Sequence, residues 1–394
     1  MVALTFDQAR ELVLREVGLN AQVQPILLAE AEGRVLAEEI LADRDYPPFR
    51  RSARDGFAIR AADAPGELRV LGQVRAGEAF SGSVGPSEAV EIMTGAPLPE
   101  GADAVVMVEH TERVGERVRI RSAIKSGDNF TPRGADAAAS EMVLHAGRRI
   151  GFAEAAALAS MGRVAVVVYG RPRVAILPTG DELVETSESP SPVQIRNSNA
   201  ISLTYQVRRA GGIPQVLPIA RDNAESLRRL IEQGLKADLL LISGGVSAGK
   251  YDLVKTVLTE LGAKFFFERV AIQPGQPLAF GKAQGKYFFG LPGNPGSTMI
   301  TFETIARAAL EKMQGIADPV LPLLKARLTK PVSQKTGLTR FLPANLSPEG
   351  STVEPAVSGG SGDLPALARC NAFLVTNPDR EAWAAGEDIR VLVK

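Results

Sequence analysis

Cysteine occurs once in this chain, at Cys370, and histidine twice, at His110 and His145. A single thiol excludes an internal disulfide and suits a reducing cytoplasm. So few imidazoles and thiols exclude a His/Cys zinc site, so any metal should be a hard cation on oxygen ligands. An excess of either charge is also missing. Lys+Arg and Asp+Glu each number 45, which argues against a general nucleic-acid surface. No apolar run approaches the roughly 20 residues a membrane span needs. The opening MVALTFDQAR has no basic-then-apolar signal pattern, which again suggests the cytoplasm. What remains is ordinary globular composition, 45% hydrophobic and 23% charged, over 394 residues. That length holds two to four domains with proper cores.

Glycine, by contrast, is plentiful and concentrated where it matters. Three Gly-rich stretches each follow an apolar, strand-like run. RVAILPTGDEL carries Thr179, Gly180, Asp181 and Glu182; DLLLISGGVSAGKYD carries Ser243, Gly244, Gly245, Ser247 and Asp252; YFFGLPGNPGS carries Pro292, Gly293, Asn294, Pro295 and Ser297. In an open α/β sheet, ligands bind beyond the carboxyl ends of the strands, so three such turns converge on one ligand. Glycine lets backbone amides come close, hydroxyls add donors, and the helices that follow aim their positive ends at the same place. This combination predicts an anionic ligand, with phosphate foremost.

Blander readings exist for each stretch. Asp181 and Glu182 suit a helix start, and Asp252 either caps a helix or holds Mg²⁺ near a phosphate. LPGNPGS also reads as a rigid strand-to-helix turn. SGGVSAGKYD has more glycine and serine than a plain turn needs and reads better as a cradle.

Along the chain, Thr5 and Gln8 fit a capping box for an amphipathic helix with Phe6, Ala9, Val13 and Val17 on one face. A second helix is expected over about 34–41. From about 55 to 137, short strands alternate with Gly and Pro turns, and GFAEAAALASMGR then returns to helix. The β module thus reads as an insertion in a helical region. From Arg171 to about 318, strands and helices alternate, predicting a largely parallel sheet covered by helices. After Pro319, short strands predict a small barrel or sandwich.

With these segments in view, the order PPFRRSARDGFA, EIMTGAPLPEGADAVV, PRGAD, PTGDEL, RNSNA, SGGVSAGKYD, QPGQPLAFG, GLPGNP resembles the MoeA/gephyrin family of molybdopterin molybdenumtransferases, from about residue 5 to the C-terminus. The resemblance implies an α/β multidomain fold. Its parts are a discontinuous helical domain (1–42 and 138–168), an inserted β domain (43–137), a molybdopterin-binding α/β domain with a mostly parallel sheet (169–318) and a C-terminal β barrel (319–394). It implies an elongated homodimer with the site shared between subunits, and contact with other proteins of molybdenum cofactor biosynthesis. The implied reaction joins adenylylated molybdopterin and molybdate, with Mg²⁺, and yields molybdenum cofactor and AMP. Position by position, Asp55, Thr94, Asp136, Glu182 and Asp222 match the family's catalytic positions. Asp222 and Asp252 match metal positions. Thr179, Gly180, Ser243, Gly244, Gly245, Ser247, Pro292, Gly293, Asn294, Pro295, Ser297, Gln273, Gln276 and Ser361 match ligand positions. The alternative is a catalytically weak paralogue that serves as a molybdopterin-binding or scaffold protein.

The chain departs from the family at Gln273 and Gln276, where lysines are frequent, and at Thr131 and Leu338, where arginine is frequent. Arg269 and Arg340 remain nearby in sequence. Charge-assisted bonds are about twice as strong as neutral ones, so the expectation is a weakened oxyanion site that Gln273→Lys strengthens up to roughly tenfold.

Overall fold

The Thr5 hydroxyl accepts from the Gln8 N–H and the Gln8 side chain accepts from the Thr5 N–H, closing the expected capping box at the head of α1 (Phe6–Glu16). Phe6, Ala9, Val13 and Val17 are all buried. This computed structural model of the protein describes residues 3–20, 22–245 and 253–394. Two of the candidates, Ser247 and Asp252, lie outside them. The chain divides into two units, one of residues 1–37, 147–152 and 165–394, the other of 38–146 and 153–164.

The second unit is built on a six-stranded sheet. Its strands are β1 (Gly56–Ile59), β2 (Gly66–Val74), β3 (Glu88–Ile92), β4 (Ala104–Met107), β5 (Thr111–Val114) and β6 (Arg117–Ile120), in the order β4-β1-β3-β2-β6-β5. All pairings are antiparallel except β2 with β3. Helix α2 (Phe152–Ser160) follows where GFAEAAALASMGR predicts it.

The helix expected over 34–41 does not form. Gly33 turns the chain at φ 70°, Val35 and Leu36 bridge to Arg149 and Val168, and Ile40–Leu41 pairs with Met142–Leu144. Val35, Leu36 and Ile40 are fully buried. Their apolar spacing served extended pairing with chain more than 100 residues away, which outweighs local helical spacing.

The first unit holds the predicted alternation. Its strands β7 (Arg173–Pro178), β8 (Ile213–Val216), β9 (Leu239–Ser243), β10 (Lys264–Arg269), β11 (Pro277–Ala283) and β12 (Lys286–Leu291) stand in the order β8-β7-β9-β12-β11-β10. The first four run parallel, and β11 and β10 form an antiparallel edge. Buried on both faces, β7 and β9 read as continuous apolar runs. Helices α3 (Asn199–Arg209), α4 (Ala224–Gly234), α5 (Leu253–Glu260) and α6 (Pro295–Thr301), with α7 (Arg307–Met313) beyond a π-helical turn at Phe302–Ala306, complete the layers.

Beyond Pro319 come β13 (Leu323–Leu328), β14 (Thr339–Leu346), β15 (Thr352–Pro355), β16 (Ala372–Val375) and β17 (Asp388–Val393). They close in the order β14-β15-β13-β17-β16 and back to β14, a five-stranded barrel. The pair Ile272–Gln273 adds to β14 in parallel, so the α/β chain enters the barrel's edge. One core joins α1, the sheet and the barrel, running from Val13 through Phe280 and Phe302 to Phe341 and Phe373.

Candidate functional site

The carboxyl ends of β7, β9 and β12 are laced together by the residues that follow them. The Thr179 N–H donates to the Ser243 carbonyl at 3.0 Å, and the Gly244 N–H donates to the Leu291 carbonyl at 3.2 Å. Gly180, Gly244 and Gly245 have φ of 142°, 96° and 67°, a region open mainly to glycine. A Cβ on Gly244 would lie 2.7 Å from the Thr179 carbonyl oxygen, and one on Gly245 would lie 2.9 Å from the Thr179 hydroxyl. The three predicted loops therefore meet. They line a cavity of about 190 Å³ with Thr179, Glu182, Ser243, Gly244, Gly293, Asn294 and Pro295 on its walls. Pro295 opens α6, and the Pro292 carbonyl accepts from the Thr298 hydroxyl at 2.6 Å.

RNSNA supplies the fourth wall. Asn197 is buried and accepts from the Ala200 N–H in the first turn of α3. Asn199 donates its Nδ2 to the Ser243 hydroxyl at 2.9 Å and to the Gly293 carbonyl at 2.7 Å. A carbonyl only accepts, so this second bond fixes which end of the amide is nitrogen. Among the described residues the Asn199 Oδ1 then has no partner, and neither has the Thr179 Oγ1, although both atoms are buried. Buried polar atoms are nearly always hydrogen-bonded, so two orphans on residues of one cavity wall are candidates for bonds to a ligand. Arg196 lines the same cavity, donates its Nε to the Glu188 carbonyl and meets no carboxylate among the described residues.

The acidic candidates divide. Glu182 lines the cavity, and its carboxylate lies so close to Gly180 that a Cβ there would be 2.4 Å from it. Asp181 accepts from the Asp222 N–H at 3.1 Å. Asp222 does not line the cavity, but it is not a helix cap either: Asn223 caps α4 by accepting from the Ser226 N–H. Neither the Glu182 nor the Asp222 carboxylate makes a hydrogen bond among the described residues.

A second cavity, about 620 Å³, opens between the α/β layers and the barrel. It gathers Gln273, Gln276, Ser297 and Ser361, which the resemblance had assigned to the ligand, and with them Leu338 and Arg340. The Ser361 hydroxyl accepts from the Asn294 Nδ2 at 3.0 Å, and its carbonyl accepts from the Gly296 N–H, so Asn294 and Ser361 link the two cavities.

Asp55, Thr94 and Asp136 belong to the other unit. There the Asp55 Oδ1 accepts from both the Thr94 N–H (2.6 Å) and the Thr94 hydroxyl (2.8 Å), and Asp136 pairs with Arg51 at 3.2 Å. The two bonds from Thr94, the backbone one foremost, hold the Asp55 carboxyl below its usual range. A depressed carboxylate pKa adds stability that is complete above the unfolded value of about 3.9 and is lost as pH falls through the folded value. Thr94→Val removes the hydroxyl and keeps the N–H. We expect Asp55 to titrate at higher pH in that variant by carboxyl-carbon NMR, and an unchanged titration would show that the hydroxyl contributes nothing.

Sequence reasoning missed Asn199 and Arg196. The signal was present in RNSNA, but assigning it required knowing that α3 starts against β9 and β12.

Three family models match in order: the MoeA N-terminal region (domain I and II) over residues 4–162, a probable molybdopterin binding domain over 175–312, and the MoeA C-terminal region (domain IV) over 325–394. A molybdopterin molybdenumtransferase of Staphylococcus epidermidis is 34% identical over 93% of this chain and 90% of its own length. One of Staphylococcus aureus is 31% identical over 98% and 94%. A crystal structure of a molybdopterin biosynthesis MoeA protein from Pyrococcus horikoshii OT3 superposes with a TM-score of 0.82 at 28% identity over the whole of both chains. Another structure of a Pyrococcus MoeA protein gives 0.75 at 32% identity, over 100% of this chain and 99% of its own.

Proposed function

The chain belongs to the MoeA family of molybdopterin molybdenumtransferases, enzymes of molybdenum cofactor biosynthesis, and we propose that it takes adenylylated molybdopterin and molybdate, with Mg²⁺, and releases AMP. The observation that carries this reading is the pair of buried orphans, Thr179 Oγ1 and Asn199 Oδ1, on one wall of the strand-end cavity. An orphaned amide oxygen needs a donor, which a phosphate dianion lacks and the N–H groups of a pterin or adenine ring supply. Arg196 and the Gly293 N–H, both on the cavity lining, suit the phosphate, whereas the Gly180 and Gly244 N–H groups are bonded to the Ala220 and Leu291 carbonyls. The cavity lining thus offers partners both for a ring N–H and for a phosphate, as a phosphorylated heterocycle needs.

The residues suit Mg²⁺ as well. Mg²⁺ bound on a phosphate needs only one or two carboxylates and keeps several waters. The described residues contain no cluster of three metal-ligating side chains, but they do offer carboxylates without partners at Glu182 and Asp222. Asp222, with Asp252, would hold the ion; when bound, it neutralises the phosphoanhydride that water cleaves to give AMP. Glu182 orients the group against Gly180. Asp55, its carboxylate fixed by Thr94, and Asp136 act from the inserted β domain. We read this as one site shared across an elongated homodimer, the arrangement that the family resemblance implies. Sizing with small-angle scattering tests it: a compact monomer at micromolar concentration would contradict the shared site.

The test of function is AMP release from adenylylated molybdopterin against molybdate and Mg²⁺. Wild type should release AMP only with both. Asp222→Asn should lose roughly tenfold or more in rate at limiting Mg²⁺ and recover part of it at high Mg²⁺, with melting within about 0.5 kcal/mol of wild type. Binding without AMP release at any molybdate concentration would favour the scaffold alternative.

A further inference from the structure

Among the described residues the 620 Å³ cavity is lined by one cation, and it is not where a lysine was expected. Arg340 enters from β14. Its backbone N–H donates to the Thr376 hydroxyl at 2.9 Å, and that hydroxyl donates to the Gln334 Oε1 at 2.6 Å. The same Oε1 and the Lys335 carbonyl accept from Arg340 Nη1, at 3.2 and 2.5 Å. The Nε donates to the Gln273 Oε1 at 2.8 Å. Nη2 has no partner among the described residues, and no carboxylate there pairs with the guanidinium.

Around this charge lie neutral donors. Ser297 is 95% buried, lines the cavity, and its hydroxyl has no protein partner among the described residues. Among the described residues the Gln276 amide is likewise unbonded to protein, and of the Gln273 amide only the oxygen is used. Ile300 and Phe341 form part of the apolar lining. A guanidinium with no counter-ion, beside a buried hydroxyl and two amides, is a site for a small oxyanion.

We propose that this chain holds its oxyanion substrate with Arg340 as the single fixed cation, and that Gln273 is the residue that positions Arg340. This rests on the reading of molybdate as substrate. It also reverses the expectation from sequence. Lysine at 273 would remove the acceptor of Arg340 Nε and set an ammonium against a guanidinium. Its own charge is offset by the loss of a preorganised fork.

The experiment is calorimetric titration of the full-length protein with sodium molybdate, with and without adenylylated molybdopterin, beside AMP release. Circular dichroism melts check each variant. Arg340→Gln should weaken molybdate binding about 30-fold or more. Gln273→Glu should do nearly as much, because a carboxylate there neutralises the guanidinium while keeping the bond to Nε. Arg340→Lys should fall between, and binding to wild type should weaken steeply with salt. Gln273→Lys should show no gain. Binding to Arg340→Gln or Gln273→Glu within twofold of wild type would overturn the role of Arg340. A tenfold gain in Gln273→Lys would overturn the role of Gln273. Arg340-dependent molybdate binding without AMP release would instead leave this site standing and remove the transferase reading. No molybdate binding to wild type under either condition would overturn both.

Discussion

Gly244→Ala is expected to abolish binding of adenylylated molybdopterin and to lower stability by about 2–4 kcal/mol. Two causes add. The backbone at φ 96° is strained for any residue with a Cβ, a cost of roughly 1–3 kcal/mol. The new methyl would also sit 2.7 Å from the Thr179 carbonyl oxygen and 3.0 Å from its hydroxyl. That oxygen is main chain, so relief requires β7 and β9 to part at their carboxyl ends, where the Thr179 N–H is bonded to the Ser243 carbonyl. The cavity wall then moves. Gly293→Ala is the control on the facing loop. Among the described residues its Cβ would meet only the Gly244 Cα, at 3.7 Å, so stability should hold within about 0.5 kcal/mol. Chemical denaturation of both variants, with ligand titration, separates the cases. Equal stability of the two would show that the Gly244 loop adapts.

Asn199→Ala should cost about 2–3 kcal/mol of ligand binding, roughly 30- to 150-fold, with a smaller loss of fold stability. The side chain has two jobs here. Its Nδ2 ties the Ser243 hydroxyl to the Gly293 carbonyl, holding two loops in register. Its Oδ1 is a buried acceptor without a partner among the described residues, on a residue that lines the cavity. Thr179→Val, which removes only the other orphan, should cost about 1–1.5 kcal/mol in binding while leaving stability unchanged or improved, since a buried unmatched hydroxyl is lost. Calorimetry with the adenylylated pterin checks both. Wild-type affinity in Asn199→Ala would mean that the ligand does not use this wall.

The features legible in the sequence were those with local causes. The capping box at Thr5 and Gln8 is a four-residue pattern, and it formed. The apolar runs before each glycine-rich loop announced β7, β9 and β12, and with them the place where the loops meet. The features it hid depend on distant partners. Residues 34–41 have helix-like spacing, but their pairing partners lie near 142–150 and 168. Asn199 stood in a quoted motif without a role, because its partners are 44 and 94 residues away. Arg340 looked like a leftover arginine until Gln273 was seen to hold it across 67 residues. Type and spacing predicted the cradle; which atoms remain unpaired inside it depends on tertiary pairing.

The strand-end cavity is expected to hold a ligand whose ring donates to Asn199. A crystal structure of the complex with adenylylated molybdopterin tests it most directly. The expected complex has a ring N–H within about 3 Å of Asn199 Oδ1, the Thr179 hydroxyl bonded to the same ligand, and phosphate oxygens toward Arg196 and Gly293. A ligand bound elsewhere, with both atoms still unpaired or bridged only by water, would contradict it.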